Sequence, residues 1–169
     1  MARSAKRRPA LATFRHPVRF EVRRPEFQSL ASVSQLDIPK LERAARAEIE
    51  LGYFRTGDCR QLVRAIVRKG MVTELVLDPC SDRKVEGAPP ELVRLLNAAR
   101  RRAARAAGNP VRFPIPISDF LGTSAVARIR SITCLEICAF GWWCFYCCNR
   151  PNDPHDWICG RNIIIEDTF

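Results

Sequence analysis

The chain has 169 residues, of which 47% are hydrophobic, and a net charge of +10 at neutral pH. This length suffices for one ordinary domain with extensions, and the hydrophobic content excludes a wholly disordered chain. The excess of basic over acidic residues favours a polyanionic partner, with nucleic acid as the first candidate and an anionic membrane surface as the second. Arginine outnumbers lysine 24 to 4, which suits bidentate phosphate contacts, although a GC-rich genome produces the same bias.

Positive charge is concentrated at the N-terminal end. Residues 1–24 hold eight Lys/Arg against a single Glu21, and we describe residues 1–36 as a basic arm. Within this arm VRFEVRR alternates apolar and charged side chains, which predicts a short strand. An organellar transit peptide is an alternative for the first fifteen residues, but their apolar periodicity is poor and a cytoplasmic location is favoured. The candidate phosphate ligands of the arm are Arg7, Arg8, Arg23 and Arg24.

The next two segments predict a helix and then a hairpin. LDIPKLERAARAEIEL reads as a helix with Asp37 as N-cap and Pro39 in the first turn. CRQLVRAIVRKGMVTELVLDP contains two alternating apolar runs separated by Lys69-Gly70. Two such runs around a Gly turn predict an antiparallel hairpin. Asp78-Pro79 should close the second strand, because proline cannot donate to a strand ladder.

A second helix should begin at Pro89-Pro90-Glu91 and end before Gly108. It contains LLNAARRRAARAAG, in which an apolar stripe at helical spacing lies beside a stripe of arginines. A solvated helix end, where cations meet the negative end of the helix dipole, is the alternative explanation of this cluster. Because no acid stands four positions before or after these arginines, phosphate binding is favoured. The predicted ligands are Arg94, Arg100, Arg101, Arg102 and Arg105.

The C-terminal part is apolar and rich in cysteine. Residues 109–130 are predicted as an extended connector punctuated by prolines, and residues 131–169 hold six of the eight cysteines. The apolar run SITCLEICAFGWWCFYCC has the shortest length that could span a membrane, and Glu136 near its middle makes such a span costly. A buried amphipathic element or an interface patch is therefore favoured, and a membrane partner is disfavoured.

The spacing C-x2-C-x7-H-x3-C predicts a candidate zinc site, since two cysteines separated by two residues often share one ion. Its ligands would be Cys144, Cys147, His155 and Cys159, with Cys148 able to replace Cys147. Cys134 and Cys138 could supply one side of a helix in a second or shared site. Burial as small hydrophobes and disulfide formation or modification are the alternatives. The N-terminus lacks an apolar signal-peptide core, so we expect reduced or metal-bound thiols.

The segment LVRAIVRKGMVTELVLDPCSDRKVEGAPPELVRLLNAARRRAARAA resembles the YbaB/EbfC family of nucleoid-associated proteins. The shared features are a strand, a Gly-containing turn, a second strand that ends in Leu77-Asp78-Pro79, and a helix rich in Leu, Ala and Arg. With the preceding helix, the resemblance covers residues 37–108. It implies an α+β fold, a homodimer built by joining sheets, and DNA binding through basic helical residues with little sequence discrimination and no catalysis.

Together these patterns predict an α+β protein composed of a helix, an antiparallel hairpin or small sheet, and a second helix, followed by a Cys/Trp-rich extension. We expect a homodimer that binds nucleic acid, DNA rather than RNA, and that is not an enzyme. The histidines are only His16 and His155, and nothing resembles a nucleotide-binding loop or a pair of catalytic carboxylates. Two alternatives stay open: a zinc-binding regulatory or RNA-binding accessory protein, and a Cys-rich precursor peptide that a partner enzyme modifies.

Overall fold

A computed structural model describes residues 17–30, 35–56, 59–80, 89–106, 112–122, 129, 131–139, 143–151 and 153–163. Within these ranges the strands are β1 Glu21–Arg23, β2 Phe27–Ser29, β3 Ala47–Thr56, β4 Cys59–Arg68, β5 Met71–Leu77, β6 Ile115–Pro116, β7 Cys134–Ala139, β8 Trp143–Arg150 and β9 Asp153–Ile163. The helices are α1 Ile38–Arg43, α2 Pro90–Ala106 and α3 Ile117–Gly122. The predicted α+β class is confirmed, and the chain contains more strand than we predicted.

The strands form two antiparallel sheets that pack face to face beneath helix α2. The four-stranded sheet has the order β1-β7-β8-β9, and the five-stranded sheet has the order β2-β3-β4-β5-β6. Successive side chains of a strand point to opposite faces, so Phe145 and Cys147 contact α2 whereas Tyr146 and Cys148 join the core shared with the five-stranded sheet. The resulting layers are helix, four-stranded sheet, five-stranded sheet.

The predicted hairpin is confirmed by β4 and β5. The two strands pair in an antiparallel register on either side of the turn, where Lys69 and Gly70 both have positive φ angles of 49° and 74°. On β4 every second side chain from Cys59 to Val67 is buried, while Arg60 and Arg68 are exposed. The five-stranded sheet therefore has one apolar inner face and one charged outer face, as antiparallel sheets commonly do.

The helix predicted over residues 36–51 is only partly correct. Asp37 is the N-cap as predicted, and its Oδ1 accepts a hydrogen bond of 3.1 Å from the Lys40 backbone N–H. The helix ends at Arg43, however, and residues 47–56 form β3. Ile49 and Leu51 are each only 3% exposed in the sheet core. Burial against β4 thus outweighs the helix propensity of this Ala- and Glu-rich segment, which is a weak determinant by comparison.

The predicted connector also contains regular structure. Strand β6 adds an edge to the five-stranded sheet beside Met71 and Val72, and α3 follows it directly. Ile117 and Phe120 of α3 are buried in the core. The prolines of PVRFPIPISDFLG thus mark an edge strand and a helix start rather than a plain extended linker. Residues 109–111, 123–128 and 130 of the predicted connector lie outside the described residues.

The apolar run 131–148 contributes β7 and β8, so Cys134 and Cys138 lie on a strand and not on the predicted helix. Among the described residues no helix has the length and apolar character needed to cross a membrane.

The predicted short strand in VRFEVRR is confirmed as β1, which pairs with β7 from the opposite end of the chain. The arm therefore contributes one strand to the sheet of the Cys-rich tail and one strand to the sheet of the middle segment.

Candidate functional site

Helix α2 separates an apolar face from a basic one. Leu92, Leu96, Ala99 and Ala103 are buried against the four-stranded sheet. Because the helix repeats every 3.6 residues, the residues between them point away from the sheet. Four arginines on that side are exposed, namely Arg94, Arg101, Arg102 and Arg105. We call these four the α2 arginines.

The α2 arginines have no carboxylate partner within the described parts of the chain. The ion pairs found there all belong to other elements. The acid of α2 itself is Glu91 in the first turn, which lies three residues before Arg94 without forming an ion pair with it and more than two turns before Arg101. From Arg94 to Arg105 the basic surface extends over roughly 16 Å at 1.5 Å per residue. It is therefore an exposed, uncompensated row of positive charge.

Arg100 differs from its neighbours. Its side chain is half-buried, and its Nη1 lies 3.5 Å from Asn97 Oδ1. Its Nε is buried without a hydrogen-bond partner in the described structure. Much of this guanidinium consequently faces protein rather than solvent, so among the predicted phosphate ligands on α2 it is the least available.

The predicted phosphate ligands of the arm also differ in their surroundings. Arg23 and Arg24 are adjacent, and only Arg24 is directed toward α2, where it lines a cleft together with Arg102. Arg23 instead forms an ion pair with Glu21, with 2.9 Å between Nε and Oε1. This hydrogen bond and the positive charge of Arg23 lower the pKa of Glu21. Arg7 and Arg8 lie outside the described residues.

The predicted zinc ligands do not come together. Cys144 and Cys147 are both on β8, three positions apart, and alternation along a strand sends their side chains to opposite faces. His155 is exposed on β9, four residues from Cys159 and so roughly 13 Å along the strand. The sequence spacing that favours a shared ion assumes a loop or helix, and the strand removes that proximity.

All eight cysteines instead form disulfides, so the expectation of reduced or metal-bound thiols is wrong for this structure. Three pairs join directly opposite positions of neighbouring strands, which brings their Cα atoms to 4.1 Å. These pairs are Cys134–Cys148, Cys138–Cys144 and Cys147–Cys159. Cys59–Cys80 connects the start of β4 to the residues after β5.

One group of side chains in the described structure could hold a metal ion. Glu136, Cys138 and Cys144 place a carboxylate oxygen and two sulfurs within 4.8 Å of one another. Burial raises the pKa of Glu136, Arg23 opposes that shift, and Glu21 adds to it. The two sulfurs belong to one disulfide, so they can bind a metal only after reduction. Sequence reasoning missed Glu136, although its position two residues before Cys138 places both on one face of a strand.

Comparison of the chain with protein-family models, curated proteins and solved structures found no match. The resemblance to the YbaB/EbfC family therefore stays a prediction.

Proposed function

We propose that this protein is a non-catalytic nucleic-acid-binding protein, with DNA as the preferred ligand, which binds through the α2 arginines. The observation that carries the proposal is the exposure of all four guanidiniums without a carboxylate partner in the described structure. An arginine already paired with an acid must give up that partner to bind phosphate, whereas these four need not. Release of counterions from the nucleic acid would supply much of the affinity.

The length of the basic surface fits a nucleic-acid backbone. A row of roughly 16 Å covers about five phosphates of one strand at 3.4 Å each along the helix axis. Guanidinium contacts with phosphates position a protein on the duplex and do not read its bases. The expected binding is therefore strong at low salt and weakly dependent on sequence, as the resemblance to nucleoid-associated proteins implies.

A homodimer and a cytoplasmic, nucleoid-associated location complete the proposal. Strand β9 lies at the end of the four-stranded sheet, and within the described residues its outer edge has no partner strand. Such an edge is a template for pairing with a second chain. If two β9 strands pair in antiparallel fashion about a two-fold axis normal to the sheet, both copies of α2 lie on the same side of the joined sheet.

The decisive experiment is a salt-dependent binding titration with a labelled DNA duplex. The test variant is R94Q/R101Q/R102Q/R105Q, and the matched control is R43Q/R55Q/R60Q/R68Q, whose four arginines are also exposed but lie outside α2. Removal of four phosphate contacts should reduce the slope of log K against log salt by about 3 to 4 and affinity at moderate salt by about 100-fold. The control should lose far less.

Two outcomes would contradict the proposal. Equal losses in both variants would show that net charge, and not helix α2, determines binding. Binding of the unmodified protein that does not change with ionic strength would exclude phosphate contacts altogether. Circular dichroism of both variants should be unchanged, because all eight substituted side chains are exposed. The same titration with a single-stranded RNA and a matched DNA establishes which nucleic acid is preferred.

A second candidate function is zinc binding at Glu136, Cys138 and Cys144, favoured by the proximity of their donor atoms. Disulfides are rare in a reducing cytoplasm, and reduction there would leave two thiols beside the carboxylate. Two sulfurs and one oxygen, with a water as fourth ligand, would suit a tetrahedral zinc ion. This set replaces the predicted set of Cys144, Cys147, His155 and Cys159.

Metal analysis of the reduced and the oxidised protein tests the zinc proposal. Zinc should copurify with the reduced protein in an equimolar amount and be absent after oxidation, because the disulfide and the metal compete for the same sulfurs. The variant C138S/C144S should lose the zinc, whereas C147S/C159S, a disulfide pair facing the helix, should keep it. Retention of zinc by the first variant would refute this candidate.

A further inference from the structure

A cleft lies between helix α2 and strands β1 and β7, with a volume of about 270 Å³. We call it the α2 cleft. Its walls come from both ends of the sequence, since β1 precedes α2 and β7 follows it. Its lining includes Val22, Arg24, Leu95, Arg102, Leu135 and Ile137.

The interior of the α2 cleft is apolar. Leu135 and Ile137 of β7 form one side and Leu95 of α2 forms the other, together with alanines spaced by three or four residues along the helix. The small alanine side chains leave the space that larger residues would fill. Val22 lines the cleft and is 47% exposed, as one of three exposed large apolar side chains among the described residues. An apolar ligand body would cover it and gain free energy from its burial.

The charged residues that line the cleft are both positive. Arg24 follows β1 and Arg102 belongs to α2, so a guanidinium comes from each of two elements. Both side chains are exposed, and neither has an ion-pair partner in the described parts of the chain. No acid is among the lining residues that the structure describes. An apolar cavity that holds two free guanidiniums is complementary to a ligand with one apolar and one anionic end.

We infer that the α2 cleft binds a small carboxylic acid with an apolar body, such as a medium-chain fatty acid. The carboxylate would bind between Arg24 and Arg102, and the chain would cover Val22, Leu95 and Leu135. At the volume of roughly 30 Å³ that a water-sized group occupies, the cleft holds about nine non-hydrogen atoms. Octanoate, with eight carbons and two oxygens, matches this size when its carboxylate lies at the opening.

Isothermal titration calorimetry of the full chain with sodium octanoate tests the inference. We expect saturable binding of one octanoate per chain. The neutral analogue 1-octanol should bind about tenfold more weakly, since it lacks the charge that the guanidiniums recognise. Nucleic acid is absent from this assay, so its result does not depend on whether the proposed function is correct.

Three variants locate the ligand. R24Q/R102Q should weaken octanoate binding about tenfold without affecting 1-octanol. R94Q/R101Q removes the same charge from the same helix outside the cleft lining and should bind octanoate like the unmodified protein. A106L substitutes an exposed lining residue and should reduce the binding of both ligands, because its side chain enters the cleft.

Three results would overturn the inference: no saturable heat with octanoate, equal affinity for octanoate and 1-octanol, or equal losses in R24Q/R102Q and R94Q/R101Q. Each is decisive in a folded protein, and circular dichroism verifies folding of the variants. The arginine substitutions change exposed side chains alone, so folding should be retained.

Discussion

The protein carries two arginine-rich surfaces that differ in how their charge is compensated. On the outer face of the five-stranded sheet, Arg64 binds both Glu48 and Asp78, and the guanidinium of Arg60 lies 5.1 Å above the ring of Tyr53. On helix α2 the four exposed arginines have no such partners in the described structure. The two surfaces have the same residue type, but the sheet holds Arg64 and Arg60 in such contacts, whereas the helix holds none of its four exposed arginines in this way.

The difference arises from which residues become neighbours in each kind of element. In an antiparallel sheet the neighbours of an arginine come from the adjacent strand, and β3 supplies acids beside β4, as the register pair Glu50 and Arg64 shows. On a helix the neighbours lie three or four positions away in the same segment. Because α2 has its single acid in the first turn, compensation of the later arginines has no source within the helix. The hydrogen bond to Asp78 also raises the pKa of Arg64.

The largest expected effect is on the free energy of unfolding and comes from a substitution that weakens the packing of α2 on the sheet. Leu92 is 0% exposed on the buried face of α2, and Leu92→Ala should lower the free energy of unfolding by about 2 to 5 kcal/mol through lost burial and a cavity. Denaturant unfolding measures this change. Val93→Ala, at the adjacent position that is 43% exposed, should cost less than about 0.5 kcal/mol. Similar losses in both variants would mean that α2 is not anchored through Leu92.

Supplying the missing acid should make the two surfaces alike. Ala98→Glu places a carboxylate four residues from both Arg94 and Arg102 and three from Arg101, where it can pair with them. DNA affinity should fall about tenfold at low salt, since one phosphate contact is lost and a negative charge is added. Ala45→Glu, an exposed position outside α2, is the control and should have little effect. If both variants bind alike, compensation on the helix is irrelevant to binding.

Removing a compensated arginine should affect stability rather than binding. Arg64 has a side chain that is 27% exposed, and its loss removes the ion-pair partner of Asp78 and leaves Glu48 paired with Arg46 alone. Arg64→Gln should therefore destabilise the fold by about 1 kcal/mol, whereas Arg101→Gln should change stability by less than about 0.5 kcal/mol. Thermal unfolding measures both values. DNA binding should show the opposite order, and a larger stability loss for Arg101→Gln would contradict the comparison.

The smallest expected effect is a pH-dependent change in Tm at Glu136, a carboxyl whose burial is only partly offset by the positive charge of Arg23. Burial raises the pKa of Glu136, an effect that Arg23 opposes and Glu21 reinforces. The folded state thus favours the protonated carboxyl of Glu136. The contribution of this carboxyl to the stability of the fold is complete below its ordinary pKa of 4.5 and is lost as the pH rises through its raised pKa in the folded state. In metal-free buffer Glu136→Gln should raise the Tm at neutral pH and leave it unchanged in acid. A lower Tm at neutral pH would show that the Arg23 interaction prevails over burial.

Features that depend on residues close together along the chain were predicted correctly from the sequence, and features that depend on distant residues were not. The Asp37 cap, the turn at Lys69-Gly70 and the apolar stripe of α2 were predicted correctly, because each depends on residues within one turn of each other. Residues 47–51 were wrongly predicted as helix, since alternation of Glu and Ile there is ambiguous over so short a stretch. Pairing with β4, which residue spacing alone does not reveal, made this segment a strand.

The cysteines show the same limit for the candidate sites. Their spacing favours a shared metal ion where the chain forms a loop, whereas in β8 and β9 the same spacing places side chains on alternating faces and in cross-strand pairs. Glu136 became a candidate ligand only through the register that brings Cys138 beside Cys144. The α2 cleft could not be predicted at all, since its walls come from residues 22–24, 95–106 and 133–137.

The sequence by itself determined the basic charge, the amphipathic helix with its row of arginines, and the hairpin, because local spacing and composition specify these features. The tertiary structure alone decided which arginines stay unpaired, which cysteines meet, and where an apolar cleft opens beneath two guanidiniums. The physical reason is that charge compensation, disulfide pairing and cavity shape depend on distances between atoms far apart along the chain. Only the packing of α2 and the two sheets sets those distances.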